Sequence, residues 1–132
     1  MITSIRLQNF RSYDDASFEF TDGVNIIVGP NASGKTNVLE GLAFLCSGKS
    51  FRNGIDSVIQ NSKPWARIDG VDEHNRQRTI KLDKQNDGIQ KKITIDSNDS
   101  IRMPVKEALP TVLFEPNHLL LLTTSPENRR EF

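Results

Sequence analysis

An α/β fold organised around a phosphate-binding loop is what this 132-residue sequence predicts, and three observations predict it. The run Val24-Asn25-Ile26-Ile27-Val28 is mostly apolar and β-branched, the pattern of a central strand covered on both faces. It leads directly into Gly29-Pro30-Asn31-Ala32-Ser33-Gly34-Lys35-Thr36, which fits G-x-x-x-x-G-K-[ST]. Further along, three runs alternate apolar with polar residues, as strands with one wet face do. The expected architecture is a P-loop NTPase half-core with a mixed sheet, a helix after the loop and an antiparallel β subdomain.

Taken in order, Ile5, Leu7 and Phe10 frame a first short strand, and Phe18 and Phe20 alternate with Ser17 and Glu19 in a second. Thr21-Asp22-Gly23 is a turn. After the central strand and the loop, residues 36–47 read as a helix. Val38, Leu39, Leu42, Ala43, Leu45 and Cys46 form its buried side and Gly48 its stop. Residues 50–62 are loop-rich, with one short helix around Ile55, Val58 and Ile59. Residues 65–71, 78–83 and 92–96 follow as an antiparallel meander bounded by Asp, Asn or Gly. Val112-Leu113-Phe114 reads as a return strand ended by Glu115-Pro116, and Ser125-Pro126-Glu127 as a capped helix start. The expected organisation is therefore 1–62 as P-loop core, 63–100 as meander, and 101–132 as return strand plus the start of the next helix. A chain that stops at Phe132, just inside that helix, is expected to be a piece of something longer.

Composition narrows the function classes. Lys and Arg number 17 and Asp and Glu number 17, so net charge gives no argument for nucleic-acid binding. A single cysteine excludes an internal disulfide framework and a cysteine zinc site. No apolar run approaches the ~18 residues of a membrane span, and no charged cap precedes an apolar stretch at the N-terminus. A cytoplasmic protein without membrane contact is expected.

The phosphate loop carries the chemistry. On average residue frequencies its pattern should arise by chance in roughly 0.4% of chains this long, and here it follows a strand-like run and opens a helix. The glycines let the backbone turn and approach a polyphosphate closely. The N–H groups of Asn31, Ala32, Ser33, Gly34, Lys35 and Thr36 can then face phosphate oxygens, reinforced by the positive end of the helix dipole. Lys35 would neutralise β- and γ-phosphates, and the Thr36 hydroxyl would ligate Mg²⁺. Asn37 continues the site. The expected ligands are ATP and Mg²⁺. The acidic strand of a P-loop ATPase is missing: residues 119–122 run into Thr123-Thr124, and Ile93-Thr94-Ile95-Asp96 belongs to the meander. No catalytic residue is therefore assigned, and this piece alone is expected not to turn over ATP.

Elsewhere the bland readings prevail. Cys46 is a small buried hydrophobe at helical spacing, His74 and His118 are isolated surface residues, and Trp65 packs in the sheet. Between Arg76 and Lys92 the cations outnumber the acids, and Lys81, Lys84, Lys91 and Lys92 are the candidates for contact with a DNA backbone.

Several blocks resemble the amino end of SMC-like ABC-type ATPases: Asn9-Phe10-Arg11-Ser12-Tyr13, Gly23-Val24-Asn25, the P-loop and Thr36-Asn37-Val38-Leu39-Glu40-Gly41. Three more are similar to the RecF branch of that family: Gly48-Lys49-Ser50-Phe51-Arg52, Val112-Leu113-Phe114-Glu115-Pro116 and Ser125-Pro126-Glu127-Asn128-Arg129-Arg130-Glu131-Phe132. Ala32 stands where that family has glycine, which requires an ordinary backbone conformation there. Asn117-His118 stand where it tends to carry acids.

The resemblance implies an ATP-binding lobe, with Arg11 beside the nucleotide. It also implies an ATP-dependent homodimer that binds gapped DNA or single-strand/double-strand junctions and helps load recombinase with recombination mediator proteins. Two rivals stand beside it. One is another SMC-like or OLD-like P-loop ATPase, and the other is a nucleotide-binding sensor or scaffold that does not hydrolyse.

Overall fold

The computed structural model describes residues 1–52 and 54–114. Six strands form one sheet: β1 (Ile2–Phe10), β2 (Tyr13–Glu19), β3 (Trp65–Asp72), β4 (Gln77–Gln85), β5 (Gly88–Ile95) and β6 (Asn98–Ser100), in the order β2-β1-β3-β4-β5-β6. Every pairing is antiparallel. One helix, α1 (Lys35–Ser47), and two single 3₁₀ turns, Ile55–Ser57 and Val105–Glu107, complete the described elements.

Strand alternation decides which face is covered. Ile5 and Leu7 of β1, Ala66 and Ile68 of β3, Ile80 and Leu82 of β4, and Ile93 and Ile95 of β5 are all buried on one side. Val38, Phe44 and Leu45 of α1 pack onto that side, and Val58 and Ile59 join them. At about 25 cal/mol per Å² of apolar area, this single layer is the main stabilising term of the fold. The helix lies close to β1: a Cβ at Gly41 would stand 2.7 Å from Leu7 Cδ2 and 3.1 Å from Ile5 Cδ1, so any larger residue would push those side-chain ends aside. Helix α1 ends at Gly48, whose φ of 72° suits glycine and whose N–H donates to Phe44 O. Leu109 N–H then donates to Cys46 O, and buried Arg78 donates from Nη1 to Glu107 O at 2.7 Å. These bonds hold the segment after β6 across the end of the helix.

Four expectations are corrected. The sheet is not mixed, because residues 24–28 do not join it. Val24, Ile26 and Val28 are 87%, 80% and 82% exposed, and only Ile27 packs against the core. A strand covered on both faces needs neighbours on both sides, and none of the described residues pairs with this run.

The meander is not a separate subdomain. Ser4 to Gln8 of β1 pair with Arg67 to Val71 of β3, so the first and later strands share one sheet. The buried face of α1 is Val38, Glu40, Gly41, Phe44 and Leu45, whereas Leu39 is largely exposed and Leu42, Ala43 and Cys46 are half-buried. The helix is apolar on most sides, so its periodicity does not fix its phase. Val112-Leu113-Phe114 forms no strand, with Val112 and Phe114 exposed. Short β6, with three polar residues, gave no alternation to read. The expected Glu115-Pro116 stop, His118, the 119–122 run and the helix start at Ser125 lie outside the described residues.

Trp65 opens β3 half-buried, as expected of a sheet residue, and His74 is exposed. Ile93 to Ile95 lie in β5, where Asp96 accepts a hydrogen bond from Gln77 N–H, so this run is part of the meander. Among the described residues no helix is long and apolar enough to cross a membrane.

Candidate functional site

The loop between the exposed 24–28 run and α1 closes into a concavity of about 150 Å³, lined by Ala32, Ser33, Gly34, Lys35, Thr36, Asn37 and Arg52. Its backbone is primed with donors. Ser33 N–H bonds Pro30 O at 3.3 Å, but the N–H groups of Ala32, Gly34, Lys35 and Thr36 donate to no acceptor among the described residues. They are the orphan donors of a helix start, where the macrodipole is also positive. Lys35 curls over the loop and donates from Nζ to Gly29 O at 2.8 Å and Pro30 O at 2.6 Å. One of its three N–H donors remains. Thr36 is exposed beside it. The donor set is therefore cationic and N–H-rich with two hydroxyls, Ser33 and Thr36, which fits a polyphosphate and its metal ion.

Two neighbours brace the loop. Gly34 has φ 95°, and a Cβ there would come within 2.7 Å of Tyr13 Oη and 2.9 Å of Ser12 Oγ, so the β1–β2 turn presses directly on it. Asn37 Nδ2 donates to Ser12 Oγ at 2.9 Å. Ala32 has φ 64°, against the expectation of an ordinary conformation. An L-residue in this left-handed region costs roughly 1–2 kcal/mol. Ala32→Gly should remove that strain. It should stabilise the fold by up to about 1 kcal/mol after the added freedom of the unfolded chain, with nucleotide affinity unchanged. Urea denaturation checks this; a less stable glycine variant would contradict it.

Behind the loop lies a feature the sequence did not flag. Glu40, 0% exposed, is clasped by Arg11, whose Nη2 and Nε donate to its two carboxylate oxygens at 2.6 and 2.9 Å. Ser50 Oγ also donates to Glu40, and Arg52 Nη1 lies 3.6 Å from it. Arg11 Nη1 donates further to Ser57 O and Oγ. Arg11 does not line the concavity; Arg52 does, and its Nη1 donates to Asn37 Oδ1 at 3.0 Å. A chain of contacts thus runs from the β1–β2 turn through Glu40 to Arg52 and the loop. The Arg11-to-Glu40 separation in sequence hid the pair, although both residues sit in the blocks that carry the resemblance.

The four candidate DNA lysines are not brought together. Lys81 and Lys92 face each other across β4 and β5 on the uncovered face, bound to Asp83 at 3.0 Å and Asp99 at 2.8 Å. Lys91 pairs in register with Leu82 and shares the helix-covered side, where Nζ donates to Gly48 O at 2.8 Å. Lys84, opposite Ile89, follows that same alternation. Adjacent strand residues point to opposite faces, so Lys91 and Lys92 cannot serve one surface.

Residues 4–114 match the AAA domain family. The chain is 36% identical over 133 residues to the DNA replication and repair protein RecF of Halalkalibacterium halodurans, covering 99% of this chain and 36% of the relative. It is 35% identical to that of Bacillus subtilis with the same coverage. Among solved structures it is similar to the recombination mediator protein RecF-ATPrS in the RecFOR pathway, with a TM-score of 0.80 and 26% identity, covering 99% of this chain and 36% of that one. A structure concerned with ATP-driven dimerization and DNA stimulated activation of SMC ATPases shares the fold, with a TM-score of 0.72 and 20% identity over 98% of this chain and 95% of that one. The chain belongs to the AAA domain family and is a RecF homologue that spans about 36% of the length of the RecF relatives it matches.

Proposed function

We propose that this chain supplies the ATP-binding loop of a RecF-like DNA replication and repair ATPase. The observation that carries the reading is the set of N–H groups at Ala32, Gly34, Lys35 and Thr36, unpaired among the described residues, in the loop that lines a concavity together with Lys35. These N–H groups and the Lys35 ammonium would hold the phosphates of ATP, and the Thr36 hydroxyl would hold Mg²⁺, which neutralises phosphate charge when bound. Asn31 contributes loop backbone. Asn37 acts as a brace rather than a ligand. Arg52 brings a second cation to the rim. Arg11 serves by position, holding Glu40 so that the rim keeps its shape. For the whole protein the reading extends to an ATP-dependent homodimer acting at gapped DNA with recombination mediator proteins. The family membership and the RecF relatives support that extension.

Thr36→Val tests the metal part, because valine keeps the shape and removes the hydroxyl. Titration with a fluorescent ATP analogue should show Mg²⁺-dependent affinity falling about tenfold, or ~1.4 kcal/mol, with metal-free binding unchanged. Intact Mg²⁺ dependence in this variant would remove Thr36 from the site.

A further inference from the structure

Electrostatic pairing is the habit of this neutral chain, which makes the exceptions informative. Arg6, Lys63, Arg67, Arg76, Lys81 and Lys92 each have a carboxylate within 4.0 Å. Lys35 has none, and it sits in the phosphate loop. Lys49, Lys84, Lys91, Arg102 and Lys106 likewise have no carboxylate partner among the described residues. Of these, Lys49, Lys91 and Arg102 line a single concavity of about 390 Å³, with Ser47, Gly48 and Met103. They come from three places in the chain: just past the end of α1, the middle of β5 and the segment after β6.

We infer that Lys49, Lys91 and Arg102 form a second phosphate site, at the opposite end of α1 from the phosphate loop. Helix α1 has 13 residues, which separates the two ends by roughly 20 Å.

The geometry supports an anion. Lys91 is half-buried and fixed, with one donor on Gly48 O and two remaining. Burial pushes the Lys91 ammonium below its usual pKa, and the charges of Lys49 and Arg102 push it further in the same direction. The negative end of the α1 dipole and Gly48 O offset part of the repulsion among these three cations, but about half a charge does not balance three, and the hollow stays net positive until an anion enters. Elsewhere in this fold one or two cations satisfy a carboxylate; three, including an Arg fork, suit a phosphate and its several acceptor oxygens. The phosphate could belong to a nucleic-acid backbone or be free.

The test uses the charge-matched pairs Lys49→Ala/Arg102→Ala and Lys81→Ala/Lys92→Ala. Lys49 and Arg102 make no side-chain bond among the described residues, so their removal should leave the melting temperature unchanged or raise it. The first readout is binding of a fluorescein-labelled 20-base-pair DNA duplex across a salt series. The second is inorganic phosphate binding by calorimetry.

With a backbone phosphate in the site, Lys49→Ala/Arg102→Ala should weaken duplex binding at least tenfold. It should also flatten the log-affinity against log-salt slope by up to about 0.9 for each phosphate that is no longer neutralised, and Lys81→Ala/Lys92→Ala should do neither. With free phosphate as the ligand, duplex binding should be unchanged and calorimetric phosphate binding abolished in the first pair alone. Equal effects of the two pairs, or no effect of the first on either ligand, would overturn the site. The second site is independent of the nucleotide loop, so with no nucleotide present Lys35→Ala should leave both results as they are.

Discussion

Arg11→Ala is expected to destabilise the fold by about 3 kcal/mol, the lower part of the 3–5 kcal/mol typical when a buried ion pair loses one partner. Glu40 is fully buried, and Arg11 supplies its two shortest guanidinium contacts. Removing Arg11 leaves a carboxylate in the core with, among the described residues, only Ser50 Oγ and the more distant Arg52. Those two partners are why the lower part of the range applies. Typical domain stability is roughly 5–15 kcal/mol, so the loss would be visible as a large drop in the urea midpoint. The double variant Arg11→Met/Glu40→Met should recover most of it, since apolar groups of similar length remove the charge that needs a partner. A change below ~1 kcal/mol in Arg11→Ala would mean that the pair does not hold the helix to the β1–β2 turn.

The second large effect is on binding. Lys35→Ala should weaken Mg-ATP binding about 100-fold, or ~2.7 kcal/mol, as expected for charge-assisted bonds to phosphate. It should do so without unfolding the chain, because among the described residues the Lys35 side chain bonds only loop carbonyls. Lys35→Arg should not rescue it: a planar guanidinium is wider than an ammonium and would have to replace two tight carbonyl contacts. Calorimetric titration of both variants checks this.

How much of this was legible in the sequence depended on whether the signal was local. The phosphate loop and the helix after it were legible because spacing and residue type suffice there; α1 begins one residue earlier than expected. The meander strands were legible from alternation, since one face is wet. That β1 pairs with β3 across a long insertion was not, because nothing in β1 names its partner. The 24–28 run shows the opposite failure. Its composition is that of a buried central strand, yet burial depends on neighbours that the described residues do not provide. Glu40 was missed because a charged residue on a helix is ordinarily on its wet side; only the fold shows Arg11 reaching it. That the four lysines divide between two faces was hidden for a simpler reason: a tally of charge ignores which way a strand's side chains point.

The most direct test of a nucleotide at this loop is to watch the amides that would hold it. In backbone amide NMR of the isotope-labelled chain titrated with Mg-ATP, the largest shifts should fall on residues 31–37, with a further change at Arg52. All of them should vanish in Lys35→Ala. Shifts that avoid the loop, or that survive unchanged in Lys35→Ala, would contradict the account.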